Sequence, residues 1–213
     1  MKSSKKLILS ILLTLTIIVI AIYATYAFFS ATVNSTGQQI TGSSDNLNFS
    51  VNANEIHKAT QLIPVSENDV DTAVNKASNN CIDTENKDLC SMYEVTVQNT
   101  GTNLSLYGFV RTNTSTYTTN NLKYKVYTKT GSTYTAITDA TSVSNESGNS
   151  VYFKKNNVNY TTSLSTNQEQ KYYVVFWINE VNEDQNDDQN KDYSCKFGFE
   201  GSDGAQLSVL FSV

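Results

Sequence analysis

The side chains best suited to nucleophilic chemistry or metal binding are one histidine and three cysteines in a chain of 213 residues. Cys81 and Cys90 enclose eight residues, and two cysteines this close in an exported chain predict a disulfide. Free thiols and a metal-binding pair are the alternatives. Cys195 lies in the strand-like sequence Tyr193-Ser194-Cys195-Lys196-Phe197, which is typical of a small buried side chain.

The scarcity of histidine and arginine excludes several classes of function. A zinc site with two or three histidines cannot be built, and a catalytic Ser or Cys would have only His57 as its base. His57 itself is predicted to be a partly exposed imidazole at a strand end. Arg111 is the only arginine, and acidic residues exceed basic ones by 20 to 15, whereas nucleic-acid binding needs clustered cations. We therefore expect neither an enzyme nor a nucleic-acid-binding protein, and no cofactor other than calcium.

Oxygen ligands of the kind that calcium prefers lie in an acidic segment, residues 180–192. The candidate ligands are Asp184, Asn186 and Asp188. The segment lacks the glycine and the terminal glutamate of an EF-hand loop, so the alternative is a solvated hairpin tip between strands at 172–178 and 193–199. A second, weaker cluster consists of Asp83, Glu85 and Asp88.

The N-terminal segment determines on which side of a membrane these residues lie. Three lysines precede an uncharged run, residues 7–29, which at about 1.5 Å per residue is long enough to cross a hydrocarbon core of about 30 Å. Thr25 and Ala27 place small residues before a signal-peptidase cut between Ala27 and Phe28. An uncleaved membrane anchor is the alternative, and in both cases the lysines stay inside and residues 28–213 are exported.

The exported part is more acidic than the whole chain. Without the three N-terminal lysines, 12 of the 15 basic residues remain against 20 acidic ones, so the net charge is −8 instead of −5. We expect an extracellular or cell-surface protein, anchored in the membrane if the signal is not cleaved. Its expected divisions are a signal peptide or anchor at 1–27, an N-terminal strand and flexible connector at 28–44, and an ectodomain at 45–213.

Alternation of apolar and polar residues predicts that the exported part consists mainly of β-strands. The predicted strands are residues 28–34, 47–51, 93–97, 104–110, 122–127, 151–153, 172–178, 193–199 and 207–213. One helix over about 67–79, ending at Asn79-Asn80, is predicted by apolar residues at helical spacing after a capping Ser66. Many short strands with one helix predict an all-β, jelly-roll-like antiparallel β-sandwich, with Trp177 in its core.

Three short motifs suggest a family. They are Ala24-Thr25-Tyr26-Ala27-Phe28-Phe29-Ser30, Val97-Gln98-Asn99-Thr100-Gly101, and the segment from Trp177-Ile178-Asn179 to Asp184-Gln185-Asn186. They resemble the TasA/camelysin group of exported proteins of Gram-positive bacteria, whose signals are cut by a dedicated SipW-type signal peptidase. The resemblance implies a secreted jelly-roll ectodomain that forms biofilm-matrix fibres when the N-terminal strand released by cleavage completes the sheet of the next subunit. Camelysin is also described as a metalloprotease, but one histidine does not supply the usual zinc ligands.

The sequence pattern supports the same role for the N-terminal strand. Phe29, Ala31 and Val33 alternate with polar residues directly after the expected cut, and residues 35–44 provide a flexible link. An open sheet edge accepts such a donor strand from its own chain or from another. We therefore expect a structural fibre subunit that pairs with itself or with related matrix subunits. The alternative is a membrane-anchored adhesin or carbohydrate-binding module, with sugars stacking on Tyr107, Tyr117, Tyr134 or Tyr160.

Overall fold

The computed structural model describes residues 30–34, 40–43, 48–76, 81–202 and 204–213, together with Thr14 and Thr16. The residues from 30 onwards form β-sheets packed face to face, with one α-helix. The predicted all-β sandwich with a short helix is confirmed. Apart from the two threonines, the predicted membrane segment and the cleavage site at Ala27 and Phe28 lie outside the described residues. Within those residues, no helix has the length and apolar character needed to cross a membrane.

The strands occupy most of the described chain. In chain order they are β1 (Ser30–Asn34), β2 (Ile40–Ser43), β3 (Asn48–His57), β4 (Ser91–Asn99), β5 (Leu104–Ser115), β6 (Leu122–Thr130), β7 (Thr133–Ala136), β8 (Thr141–Ser142), β9 (Ser150–Tyr152), β10 (Lys154–Lys155), β11 (Val158–Asn159), β12 (Thr161–Leu164), β13 (Glu169–Ile178), β14 (Tyr193–Gly201) and β15 (Gln206–Ser212). The helix, α1, spans Glu67–Val74, and a 3-10 helix spans Asn186–Asp188.

Two large sheets form the sandwich. Sheet A has the order β1-β15-β14-β5-β12, with β9 also paired to β5. Sheet B has the order β2-β3-β4-β13-β6-β7, with β8 also paired to β6, and β10 and β11 form a separate two-stranded hairpin. All pairings between these strands are antiparallel except that of β1 with β15.

The core lies between the two sheets and is rich in aromatic rings. Phe197, Phe199 and Phe153 are fully buried, and the ring centroids of Phe153 and Phe197 are 5.1 Å apart. Each large apolar side chain buried in this way contributes about 1.5–3 kcal/mol to folding. Gly108 on β5 leaves room for this cluster, because a side chain there would collide with the Phe153 ring. The strand pattern of the sequence therefore reflects burial of alternate residues between the sheets.

The outer face of sheet B carries a second apolar cluster beneath α1. Val175 and Trp177 of β13 pack there against Val70 and Val74 of α1. Tyr172, Val174 and Phe176 of the same strand face the core between the sheets. β13 is therefore buried on both faces, which explains its nearly continuous apolar sequence, and Trp177 is fully buried as expected.

The helix is shorter than the sequence analysis predicted. It ends at Val74, and the next residue, Asn75, connects the end of the helix to β7 through its side chain. The Asn75 amide donates a hydrogen bond to the backbone oxygen of Tyr134 and accepts one from the Tyr134 backbone nitrogen. These bonds to a distant strand hold Asn75 outside the helix. The local spacing of apolar residues carries no information about such contacts, so it could not predict where the helix ends.

Two connections also differ from the sequence-based interpretation. The segment treated as a flexible connector, residues 35–44, contains β2, which pairs with β3. The acidic segment after Ile178 is not a hairpin tip, because β13 belongs to sheet B and β14 to sheet A. The chain crosses there from one sheet to the other, and Asp188 is buried instead of solvated.

Candidate functional site

The first described strand forms one edge of sheet A. β1 runs parallel to β15, with Ser30 opposite Gln206, Ala31 opposite Leu207, Val33 opposite Val209 and Asn34 opposite Leu210. The predicted donor residues Ala31 and Val33 therefore pair with the C-terminal strand of the same chain, whereas Phe29 lies outside the described residues. β1 occupies the edge that β15 would otherwise present to solvent or to another strand.

The next strand covers the neighbouring edge of sheet B. β2 pairs antiparallel with β3, with Ile40 opposite Val51 and Ser43 opposite Asn48. β1 contacts β2, and β15 contacts both β2 and β3. The edges of β15 and β3 thus lie side by side on the sandwich, and at this side β1 is the outermost strand of sheet A and β2 that of sheet B.

The strand that accepts β1 is held firmly from the inside. Leu207, Val209 and Phe211 of β15 are buried in the core, and the Phe211 ring stacks on Tyr93 at a centroid distance of 4.3 Å. The Tyr93 hydroxyl donates a 2.5 Å hydrogen bond to the backbone oxygen of Ser212. Sequence reasoning found β15 from its alternating apolar residues but did not identify it as the partner of the N-terminal strand, because the sequence does not specify which strands pair.

The predicted disulfide between Cys81 and Cys90 is confirmed. Both cysteines are fully buried in the cluster beneath α1, and Leu89 between them packs into the same cluster. The disulfide therefore closes a loop that covers the outer face of sheet B beside the helix.

The only histidine is fixed to this disulfide loop. His57 lies at the end of β3, and its Nε2 is 2.9 Å from Oδ1 of Asp88. The other Asp88 oxygen accepts hydrogen bonds from the backbone nitrogen and the hydroxyl of Thr60, at 2.8 and 3.0 Å. Burial alone would raise the pKa of Asp88, but these bonds from Thr60 and His57 outweigh it and lower the pKa. The arrangement joins β3 to the loop.

Cys195 is not placed for nucleophilic chemistry. It is free, fully buried and part of the core between the sheets. Burial raises the pKa of its thiol far above the usual range, and the thiolate is the reactive form of cysteine. The Cys195 side chain lies in the core between the sheets, whereas the His57 ring bonds Asp88 of the disulfide loop, and no hydrogen bond joins the two among the described residues.

The candidate calcium ligands are occupied by neighbouring side chains. The two oxygens of Asp184 accept hydrogen bonds from the backbone and the amide of Asn186. The Asp188 carboxylate accepts bonds from Thr119, Asn121 and Gln185. Among the described residues, no group of three or more His, Cys, Asp or Glu side chains could hold a metal ion. The calcium site stays a prediction from composition alone.

Tyrosines proposed as sugar platforms are mostly covered. Tyr117 and Tyr134 are 7% and 8% exposed, and Tyr160 packs partly buried against the core. Tyr107 is the most accessible of the four, at 37%. A flat surface of exposed tyrosine rings is therefore not formed by these four residues.

A buried lysine joins α1 to sheet B and was missed in the sequence. Lys125 of β6 is only 6% exposed, and its Nζ lies 2.6 Å from Glu67 and 3.0 Å from both oxygens of Asp71. The Tyr127 hydroxyl donates to the same Asp71 carboxylate. Burial alone would lower the pKa of Lys125, but Glu67 and Asp71 raise it instead. All four groups have protein partners, so the cluster serves to hold the helix in place.

Comparison with known proteins identifies no relative. No protein-family model matches the chain, and no curated protein matches it either. The likeness to the TasA/camelysin group consequently stays a prediction from short motifs. What the geometry offers is a pair of adjacent sheet edges, both covered by a segment that directly follows the expected cleavage site.

Proposed function

We propose that this protein is a secreted or cell-surface structural subunit of the TasA/camelysin type that assembles into biofilm-matrix fibres. In this proposal, a SipW-type signal peptidase cuts between Ala27 and Phe28, and the released N-terminal strand pairs with β15 of a neighbouring copy. The single observation that carries the proposal is the position of β1, which lies at the sheet edge and pairs only with β15.

The energetics of this pairing permit exchange between chains. Five residues of β1 pair with β15, and a backbone hydrogen bond contributes about 0.5–1.5 kcal/mol net. An edge strand of this length is therefore held by only a few kcal/mol, much less than the strands buried in the core. The same contacts form whether β1 comes from its own chain or from a second copy, which is the condition for strand exchange between identical subunits.

Disulfide trapping tests pairing between chains. Asn34 and Leu210 are opposite each other in the register, so we expect cysteines at these positions to lie within disulfide reach. Separate N34C and L210C variants, cleaved after Ala27 and mixed under oxidising conditions, should give covalent dimers on non-reducing gels. Because each chain then carries one half of the pair, an N34C–L210C bond in the mixture can form only between copies.

The register supplies a matched control. Ser30 lies four positions from Asn34 along β1, about 13 Å away, so a mixture of S30C and L210C should not crosslink efficiently. A doubly substituted N34C/L210C chain should crosslink within itself where the native pairing is retained. If only this double variant reacts, and light scattering of the cleaved wild-type protein shows monomers at all concentrations, pairing between copies is wrong.

A further inference from the structure

A cleft at the Ser212 end of the sandwich is lined by residues outside β1. Its walls come from the segment after β3 (58–64), the end of β5 and the turn that follows (114–117), and the crossing into β14 (185–194). Ser212 and Val213 complete its rim. Its volume of about 940 Å³ is at the upper end of the range for small-ligand sites, about 300–1,000 Å³.

Tyr117 is the aromatic side chain of this cleft with unused hydrogen-bonding capacity. It is only 7% exposed and lines the cleft. Its backbone nitrogen donates to the Ser115 hydroxyl, and no hydrogen bond of its own hydroxyl is seen among the described residues. Burial, with smaller effects of Asp188 and Asp192, raises the pKa of Tyr117 to about 12. The phenol therefore keeps its proton near neutral pH and is a hydrogen-bond donor without an acceptor in the protein.

Other polar groups around the cleft are also unused. The carboxylate of Asp192 and the side-chain amides of Gln61 and Asn190 line it, and none of them has a side-chain hydrogen bond to another described residue. Asp192 is nevertheless fixed through its backbone, because its nitrogen donates a 2.7 Å bond to the hydroxyl of Thr116. The side chains of Gln61, Asn190 and Asp192 are exposed, so a ligand in the cleft can reach their donors and acceptors.

The wall beneath these groups is preorganised. Asp188 is 2% exposed, and its carboxylate accepts hydrogen bonds from Thr119, Asn121 and Gln185. The Gln185 amide also bonds the backbone at Val181. A site whose framework is already ordered loses little conformational entropy when it binds a ligand.

Charge and polarity indicate the ligand class. Two lysines, Lys58 and Lys191, and two carboxylates, Asp188 and Asp192, line the cleft, so its side chains show no excess of one charge with which to select an anion or a cation. Apolar surface from Leu62 and other residues lies beside the unused hydroxyl, amide and carboxylate groups. Sugars combine apolar ring faces with many hydroxyl groups, so they match a lining of this kind. The Tyr117 ring is covered, so this residue offers a ligand its hydroxyl alone.

We propose that this cleft binds a short neutral oligosaccharide, with Tyr117 and Asp192 among its direct contacts. β1 runs alongside β15 from Gln206 to Leu210, so its last residue, Asn34, lies two residues short of Ser212 on the cleft rim. No residue of β1 lines the cleft. This proposal does not depend on fibre formation, since the site belongs to one subunit.

Titration of the full chain in lipid nanodiscs with neutral trisaccharides tests the proposal. The probes are maltotriose, cellotriose and tri-N-acetylglucosamine, with binding followed by isothermal titration calorimetry. We expect at least one of them to bind with a dissociation constant of about 1 mM or tighter. Y117F and D192N should each weaken that binding about threefold to tenfold, the usual effect of losing one hydrogen bond to a ligand.

Matched controls separate binding from folding. Y107F and D187N change an exposed tyrosine and an acidic residue that does not line the cleft, and they should leave the affinity unchanged. Thermal unfolding shows whether Y117F and D192N still fold. Three results overturn the proposal: no trisaccharide binds at about 10 mM, binding is equal in folded Y117F, D192N and the wild type, or inorganic phosphate binds in place of the sugars.

Discussion

At the scale of single residues, Glu94 illustrates how this acidic protein uses carboxylates outside its core. The side chain is 13% exposed, and its oxygens accept hydrogen bonds from Lys171 at 2.9 Å and from the Tyr173 hydroxyl at 2.8 Å. Burial alone would raise the pKa of Glu94, but the bonds from Lys171 and Tyr173 outweigh it and lower the pKa. The ionised form is therefore the one that the fold stabilises.

This lowered pKa predicts a defined dependence of stability on pH. The contribution of Glu94 is complete above the unfolded-state pKa of a glutamate, about 4.3, and is lost as the pH falls through the lower pKa of the folded state. E94Q should reduce the free energy of unfolding by about 1 kcal/mol at pH 7. Denaturant titrations from pH 7 to 3 should show a shallower loss of stability in E94Q than in the wild type.

The exposed Glu183 provides the control for this experiment. E183Q removes one negative charge without removing a hydrogen bond seen among the described residues, so its pH profile should parallel that of the wild type. If the free energy of unfolding falls as steeply with decreasing pH in E94Q as in the wild type, Glu94 does not contribute to the loss of stability in acid.

At the scale of structural elements, the disulfide loop and α1 act together as the cover of sheet B. Cys81, Cys90 and Leu89 share one apolar cluster with Val70 and with Trp177, the only tryptophan. A disulfide that closes a loop of about ten residues lowers the entropy of the unfolded chain enough to contribute about 2–3 kcal/mol. Its removal should therefore loosen the cover before it disturbs the core between the sheets.

A double substitution C81A/C90A tests this arrangement. We expect the free energy of unfolding to fall by about 2–3 kcal/mol, with the emission of Trp177 shifting to longer wavelength as water reaches the outer face of sheet B. Circular dichroism should retain the β-sheet signal. C195A, which alters a buried cysteine of the other cluster, should leave the Trp177 emission unchanged. An unchanged emission in C81A/C90A would mean that α1 alone covers this face.

The elements also show what the sequence was able to predict. Strands with strict alternation or a long apolar run, such as β13 and β15, were found because burial of a face leaves a local signature. β2 and β12 were missed, since Ile40–Ser43 and Thr161–Leu164 are only four residues long and rich in Thr and Ser, too short for a clear alternating pattern. The crossing around Asp188 was misinterpreted, because a buried carboxylate is identified by its partners on other segments.

The same reasoning explains the limits for the candidate sites. The Cys81–Cys90 pair was predictable from spacing, and the N-terminal strand β1 from its alternation of apolar and polar residues. The pairing of Ala31 with Leu207 depends on strand order, which one sequence does not specify. The cleft at Tyr117 combines three distant segments whose polar residues look like ordinary loops in the sequence.

At the scale of the whole molecule, the proposed assembly would bring together copies of like charge. Residues 28–213 carry a net charge of −8, and like-charged proteins associate slowly at low ionic strength. The strand that pairs with β15, Ser30–Asn34, has no charged residue. The pairing of β1 with β15 therefore relies on backbone hydrogen bonds. The electrostatic repulsion that opposes association comes from the remaining surface of each subunit.

The proposed fibre assembly of a chain that begins at Phe28 should consequently be accelerated by added salt. The Debye length falls from about 30 Å at 0.01 M to about 10 Å at 0.1 M, so the repulsion between approaching subunits is largely screened over this range. Light scattering after removal from denaturant should show a several-fold faster rise at about 0.1 M sodium chloride than at about 0.01 M. Sodium thiocyanate at the same ionic strength should accelerate assembly similarly, because screening depends only on ionic charge. If salt acted by strengthening apolar contacts instead, only sodium chloride would accelerate assembly. Slower assembly in both salts would mean that attraction between charged groups drives association, and an uncharged donor strand would then not be its basis.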